Sequence, residues 1–161
     1  MINKTVSYYN NADDSKSKIR YNLDYVLGMI RDNQELFQQT VKLRSMPTEE
    51  EYKQAKKLLP MIAPSGIFDY RNDNPENLRE YSNVLVLDFD HFQNHHDAGE
   101  FKRNLIDNAD RLYIYALWFS PSGLGVKVAM IHDNTTPMYH NELFRCIREQ
   151  LYPGIPEFDD K

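Results

Sequence analysis

Apolar residues fall at helical spacing through much of the first half of this chain and gather into strand-like runs in the second. Leu23, Val26, Leu27 and Ile30 share one helical face behind Asn22, a capping residue type, so the pattern predicts a helix over 22–31. A second helical stretch follows through Leu36, Phe37 and Val41. Thr48 and Glu51 have the spacing of a capping box, ahead of a helix through Leu59 that Pro60 ends. Segment 5–9 predicts a short strand, and the polar segment 10–18 a loop. Residues 63–70 combine Pro-Ser-Gly with a short apolar run, which reads as a turn and an edge strand. Residues 71–80 are polar and rich in Asn and Pro, marking a boundary between an N-terminal module, 1–80, and a second module, 81–161.

The second module has a clearer rhythm. Residues 84–90 form a strand that is apolar on both faces and therefore central. Residues 97–108 are helical, with Ala98, Phe101 and Leu105 inward. Strands follow at 113–119 and 126–131, joined by Ser-Pro-Ser-Gly-Leu-Gly at 120–125. Pro137 then opens a helix through Leu143, Phe144, Ile147 and Leu151. A six-residue link between strands makes a hairpin, because a parallel crossover needs a dozen residues or more. The order is β-α-β-β-α, one strand short of the ferredoxin-like, RRM-like unit. The chain reaches Lys161 where that strand begins, so the last strand is expected to be missing. The fold expected is α+β: an N-terminal α/β module packed on an RRM-like module, together one compact unit.

Composition narrows the setting. The single Cys146 allows no internal disulfide, which fits a reducing compartment. No apolar run approaches the roughly 20 residues of a membrane span, and the first residues lack the apolar core of a secretory signal. A cytoplasmic location without membrane contact is expected. Basic and acidic residues balance over 1–80, and the whole net charge of −5 falls in 81–161. That counts against metal-free docking on DNA and suits a site where a divalent cation meets phosphates.

The sharpest chemical feature is Val-Leu-Val-Leu-Asp-Phe-Asp, ending in Asp88 and Asp90. Strand alternation sends both carboxylates to one face and Phe89 to the other. Two adjacent carboxylates at the end of a buried strand repel unless a cation relieves them, and hard oxygen ligands favour Mg²⁺ or Mn²⁺. The second feature is the hairpin with Ser120, Ser122, Gly123 and Gly125, followed by Lys127. Glycine lets the backbone approach an anion, and the hydroxyls and ammonium add donors, although the same residues make an ordinary turn. It is not a P-loop: Gly-Lys-Ser/Thr is absent and a strand follows. The third is the acidic tail, in which Asp159 would stand beside the first strand as a further metal ligand. His91 would orient a carboxylate. His95 and His96 read as loop imidazoles and Asp97 as a helix cap. Lys56, Lys57 and Arg71 are candidate phosphate contacts, and Tyr113, Tyr115 and Trp118 read as strand packing.

These motifs together resemble the archaeo-eukaryotic primase superfamily, which includes primase–polymerases. Its pattern is an apolar strand ending in Asp-x-Asp, a small-residue hairpin ending in a basic or imidazole side chain, and an apolar residue followed by Asp. The corresponding residues are Asp88 and Asp90, the hairpin through Lys127, and Phe158-Asp159. The first half, with Lys57-Leu-Leu-Pro60 and Pro64-Ser-Gly-Ile-Phe68, is similar to the VirE N-terminal, primase-like domains of bacterial mobile elements. The resemblance implies a nucleotidyltransferase acting in DNA replication of a mobile element. It implies Asp88, Asp90 and Asp159 as ligands of Mg²⁺ or Mn²⁺. It places Lys127, where most of the superfamily has His, beside the triphosphate of an incoming nucleotide. Single-stranded DNA or a primer–template, and a downstream helicase-type ATPase domain, are the implied partners. Two readings compete. One is a haloacid-dehalogenase-like phosphatase with Asp88 as nucleophile, Asp90 as acid/base, and Ser120, Lys127 and Asp159-Asp160 as later motifs. The other is an inactive domain that docks nucleic acid or a partner.

Overall fold

The structure, a computed structural model, describes residues 2–72, 74–156 and 158–159, with Asp159 described by its backbone. It is a mixed α+β protein; among the described residues, five α-helices and three small sheets, all antiparallel, divide between two units, 1–83 and 84–161. Among the described residues no helix is long and apolar enough to cross a membrane.

In the first unit β1 (Thr5–Tyr9) is flanked by β2 (Ile19–Asn22) and β3 (Met61–Ala63). A separate pair joins β4 (Gly66–Phe68) to β5 (Leu78–Tyr81). The helices α1 (Leu23–Asp32), α2 (Gln34–Arg44) and α3 (Glu49–Lys56) each start on a side-chain cap. Asn22 accepts from the Asp24 N–H at 2.9 Å, Asn33 from Leu36 at 3.0 Å, and Thr48 from Glu51 at 3.2 Å. The third helix stops at Lys56, short of the expected Leu59. There the N–H groups of Leu58 and Leu59 turn to carbonyls three residues back, as the chain tightens ahead of Pro60. The polar segment expected to be a boundary runs into β5, and the first unit extends to Asn83. Asn83 is tied in by reciprocal bonds with Asn3, both 2.7 Å.

The second unit runs β6 (Val84–Phe89), α4 (His95–Asp107), β7 (Ile114–Phe119), β8 (Val126–Ile131), α5 (His140–Leu151) and β9 (Phe158–Asp159). Its sheet has the order β7-β8-β6-β9, and every pairing is antiparallel. The strand expected to be missing is thus present in the acidic tail, as two residues on the free edge of β6. The antiparallel pairings also exclude, over these strands, the doubly wound parallel sheet that the phosphatase reading needs. Leu85, Leu87, Phe89, Val126, Val128, Met130 and Phe158 turn one face of the sheet into a core with Ala98, Leu105 and Tyr152. Phe89 is the aromatic centre of that core, with ring centroids 4.9 Å from Phe101 and Phe158 and 5.2 Å from Tyr152. Because successive strand residues alternate, this packing commits Asp88 and Lys127 to the opposite face. Asn94, not Asp97, caps α4, and His95 and His96 lie in its first turn rather than in a loop. Pro137 opens a short 3-10 turn, and α5 begins at His140.

Candidate active site

Strand register builds the site. Asp88 on β6 pairs with Lys127 on β8 and with Asp159 on β9, and Lys127 pairs with Trp118 on β7. One row across four strands therefore reads Trp118, Lys127, Asp88, Asp159. The Lys127 ammonium makes an ion pair with Asp88 Oδ2, both side chains being a little over a quarter exposed. The other carboxylate oxygen, Asp88 Oδ1, is buried and has no hydrogen-bond partner among the described residues. A cation for Asp88 is thus already in the chain. It was not legible along the sequence, because Lys127 and Asp88 meet only through strand pairing. The available signal is that Lys127 is the one charged residue in the apolar strand 126–131.

Asp90 follows the last residue of β6 and meets the hairpin. Its Oδ1 lies where a Cβ on Gly125 would stand, together with the Phe89 carbonyl and Ser120 Oγ, each 2.9 Å from that position. Glycine at 125 is required by this close approach. Around it, Ser120 N–H donates to Gly125 O at 2.8 Å and Gly123 N–H to Ser120 O at 2.9 Å. The Leu124 N–H donates to Ser122 Oγ at 3.1 Å, and the Ser120 and Ser122 hydroxyls are 2.9 Å apart. Gly123, with φ of 77°, supplies the left-handed residue that closes the turn. The N–H of Gly123, expected to face a phosphate, is engaged inside the turn. The segment after Asp90 clasps the hairpin: Phe92 N–H donates to Leu124 O at 3.1 Å, and the His95 ring contacts Gly123 O at 3.2 Å. His91 holds a φ of 69°, a conformation uncommon outside glycine, directly beside Asp90.

The structure therefore brings together Asp88, Lys127 and the backbone of Asp159, and sets Asp90 against Ser120 and Gly125. The side chain of Asp159, expected as a metal ligand, and Asp160 lie outside the described residues. Among the described residues no group of three or more His, Cys, Asp or Glu side chains stands ready to hold a metal ion. Lys56, Lys57 and Arg71 belong to the first unit. Arg71 has a structural role there: its guanidinium bonds Ala12 O and lies 5.4 Å from the Tyr9 ring centroid. His132 and His140 lie elsewhere in the second unit, His132 just after β8 at the end away from Asp88. Burial pushes both imidazoles below their ordinary pKa, and His132 lowers His140 further.

Residues 53–152 match the family model described as BT4734-like, N-terminal domain. The chain belongs to this family. The match covers Asp88, Asp90, the hairpin and Lys127, and stops before Asp159. The BT4734-like N-terminal domains are a different family from the VirE N-terminal, primase-like domains, so the resemblance drawn from the motifs is corrected. The Asp-x-Asp, hairpin and Phe-Asp features are short and built from common strand-end and turn residues, which is why they recur outside one family. No curated protein and no solved structure matches the chain.

Proposed function

We propose that this BT4734-like domain is a metal-dependent nucleotidyltransferase that joins nucleotides by phosphoryl transfer, with Asp88 at its centre. One observation carries the reading: a central-strand carboxylate has an ammonium in register on one side and an Asp position on the other. The second unit is read as RRM-like, supported by its β-α-β-β-α-β order and antiparallel sheet with β6 and β8 at the centre.

The donor set suits Mg²⁺ or Mn²⁺. Asp88 Oδ1 is a buried oxygen without a partner among the described residues, and hard oxygen ligands are what these ions take. Asp88 would hold the metal, with Asp90 and Asp159 as the further carboxylates. Bound there, the metal would neutralise a triphosphate and activate the attacking 3′ hydroxyl. Lys127 would leave Asp88 for the phosphates, an exchange of one anionic partner for another. The Ser120 and Ser122 hydroxyls, 2.9 Å apart, would be the hairpin donors, and Ser120 Oγ lies with Asp90 Oδ1 against Gly125.

The test is Mn²⁺-dependent incorporation of labelled nucleotide on single-stranded DNA by the full-length protein and by Asp88→Asn. Incorporation that is lost in the variant supports the reading. Equal incorporation by both places the chemistry elsewhere. No incorporation and no nucleotide binding by either favours the docking domain.

A further inference from the structure

Resting on the nucleotidyl-transfer reading above, we propose that Trp118 is the platform on which the base of the bound nucleotide stacks. Trp118 is directly opposite Lys127, and Lys127 is directly opposite Asp88. Register partners share a face, and the neighbouring residue agrees: Leu117 packs on the helix-side core, which sends Trp118 the other way. Directly opposed side chains on neighbouring strands lie close enough to touch one ligand. Two strand spacings separate Trp118 from Asp88, about 10 Å, a span comparable to that from the base of a nucleoside triphosphate to its terminal phosphates. The chemistry along the row follows the same order. An aromatic ring comes first, then an ammonium for phosphate, then a carboxylate for the metal that accompanies phosphate. Trp118 is half-buried, so part of its ring is open to a ligand. Every base has a π-face, so such a platform selects for a nucleoside over a bare polyphosphate without choosing among bases.

Trp118 is the single tryptophan of the chain, so its emission reports this position alone. The full chain is titrated with ATP and with inorganic tripolyphosphate, each with Mg²⁺, by tryptophan fluorescence and by calorimetry. The expected result is that ATP quenches the emission and tripolyphosphate leaves it unmoved. Trp118→Ala is expected to weaken ATP binding roughly 5- to 100-fold, with tripolyphosphate binding unchanged, and Trp118→Phe to retain most of the affinity. Unchanged tripolyphosphate binding also shows that the alanine variant is folded. If ATP and tripolyphosphate bind equally well and Trp118→Ala weakens neither, or weakens both alike, stacking is overturned while the phosphate and metal site stands. If the wild-type protein binds neither probe, the nucleotidyl-transfer reading falls and this inference with it.

Discussion

Gly125→Ala tests whether Asp90 and the hairpin are pressed together. The added methyl falls well inside contact with Asp90 Oδ1, and stands 2.9 Å from both the Phe89 carbonyl oxygen and Ser120 Oγ, where ordinary contacts begin at 3.4 Å. The carboxylate is the mobile end of a side chain and can swing aside. The other two neighbours have less freedom. Phe89 O belongs to the central strand, and Ser120 is 3% exposed with its backbone bonded across the hairpin to Gly125 O. Overpacking of this kind costs about 1–3 kcal/mol. The backbone at Gly125 is outside the left-handed region, so alanine recovers about 0.4–1 kcal/mol by restricting the unfolded chain. The net expectation is a loss of about 1–2 kcal/mol. Gly28→Ala in α1 and Gly99→Ala in α4 are the internal controls, since nothing lies within 4 Å of either added methyl. Each should gain about 0.5–1 kcal/mol from helix propensity alone. Urea unfolding of the three variants gives the stabilities, and Mn²⁺ calorimetry on Gly125→Ala reports whether a displaced Asp90 weakens metal binding. A Gly125→Ala protein as stable as the two helix variants would refute the close approach.

Two further expectations concern buried polar groups. Tyr152 is 2% exposed, its hydroxyl has no partner among the described residues, and burial pushes its phenol up to about 12. Tyr152→Phe removes an unsatisfied hydroxyl and should raise stability by about 1 kcal/mol in urea unfolding; an equal loss would mean that the hydroxyl is bonded. His132 and His140 have folded pKa values below 6.5, chiefly through burial, so at acid pH the unfolded chain binds protons that the folded protein refuses. Stability should be full above about pH 6.5 and decline as the pH falls through the lowered folded values, and His132→Gln or His140→Gln should flatten that decline. Unfolding midpoints from about pH 7.5 to about pH 5 measure it, and an undiminished slope in both variants would contradict the assignment.

The parts of the fold legible in the sequence are those whose signal is local. Asn22 and Thr48 cap the helices they precede because capping acts within three residues. The strands at 84–89 and 126–131 stand out because both are mostly buried and, apart from Asp88 and Lys127, apolar. The strands β2, β3 and β5 carry no such signal. Ile-Arg-Tyr-Asn, Met-Ile-Ala and Leu-Arg-Glu-Tyr are three or four residues long and largely exposed or half-buried, and become strands by pairing with β1 or β4. The site divides in the same way. That Asp88 and Asp90 are under electrostatic stress is a local inference, and it leads to a cation. That the cation includes Lys127 depends on register between β6 and β8, which the spacing of residues along the chain does not determine. The distinction bears on mechanism. A carboxylate with an internal ammonium can be placed on a central strand without a bound metal, because its charge is already met. In the proposed reaction, a divalent cation and a phosphate arriving together would each take one member of that pair, so no unpaired charge would remain at the site. Lys127 would then serve twice, holding Asp88 before the nucleotide arrives and meeting the phosphates afterwards.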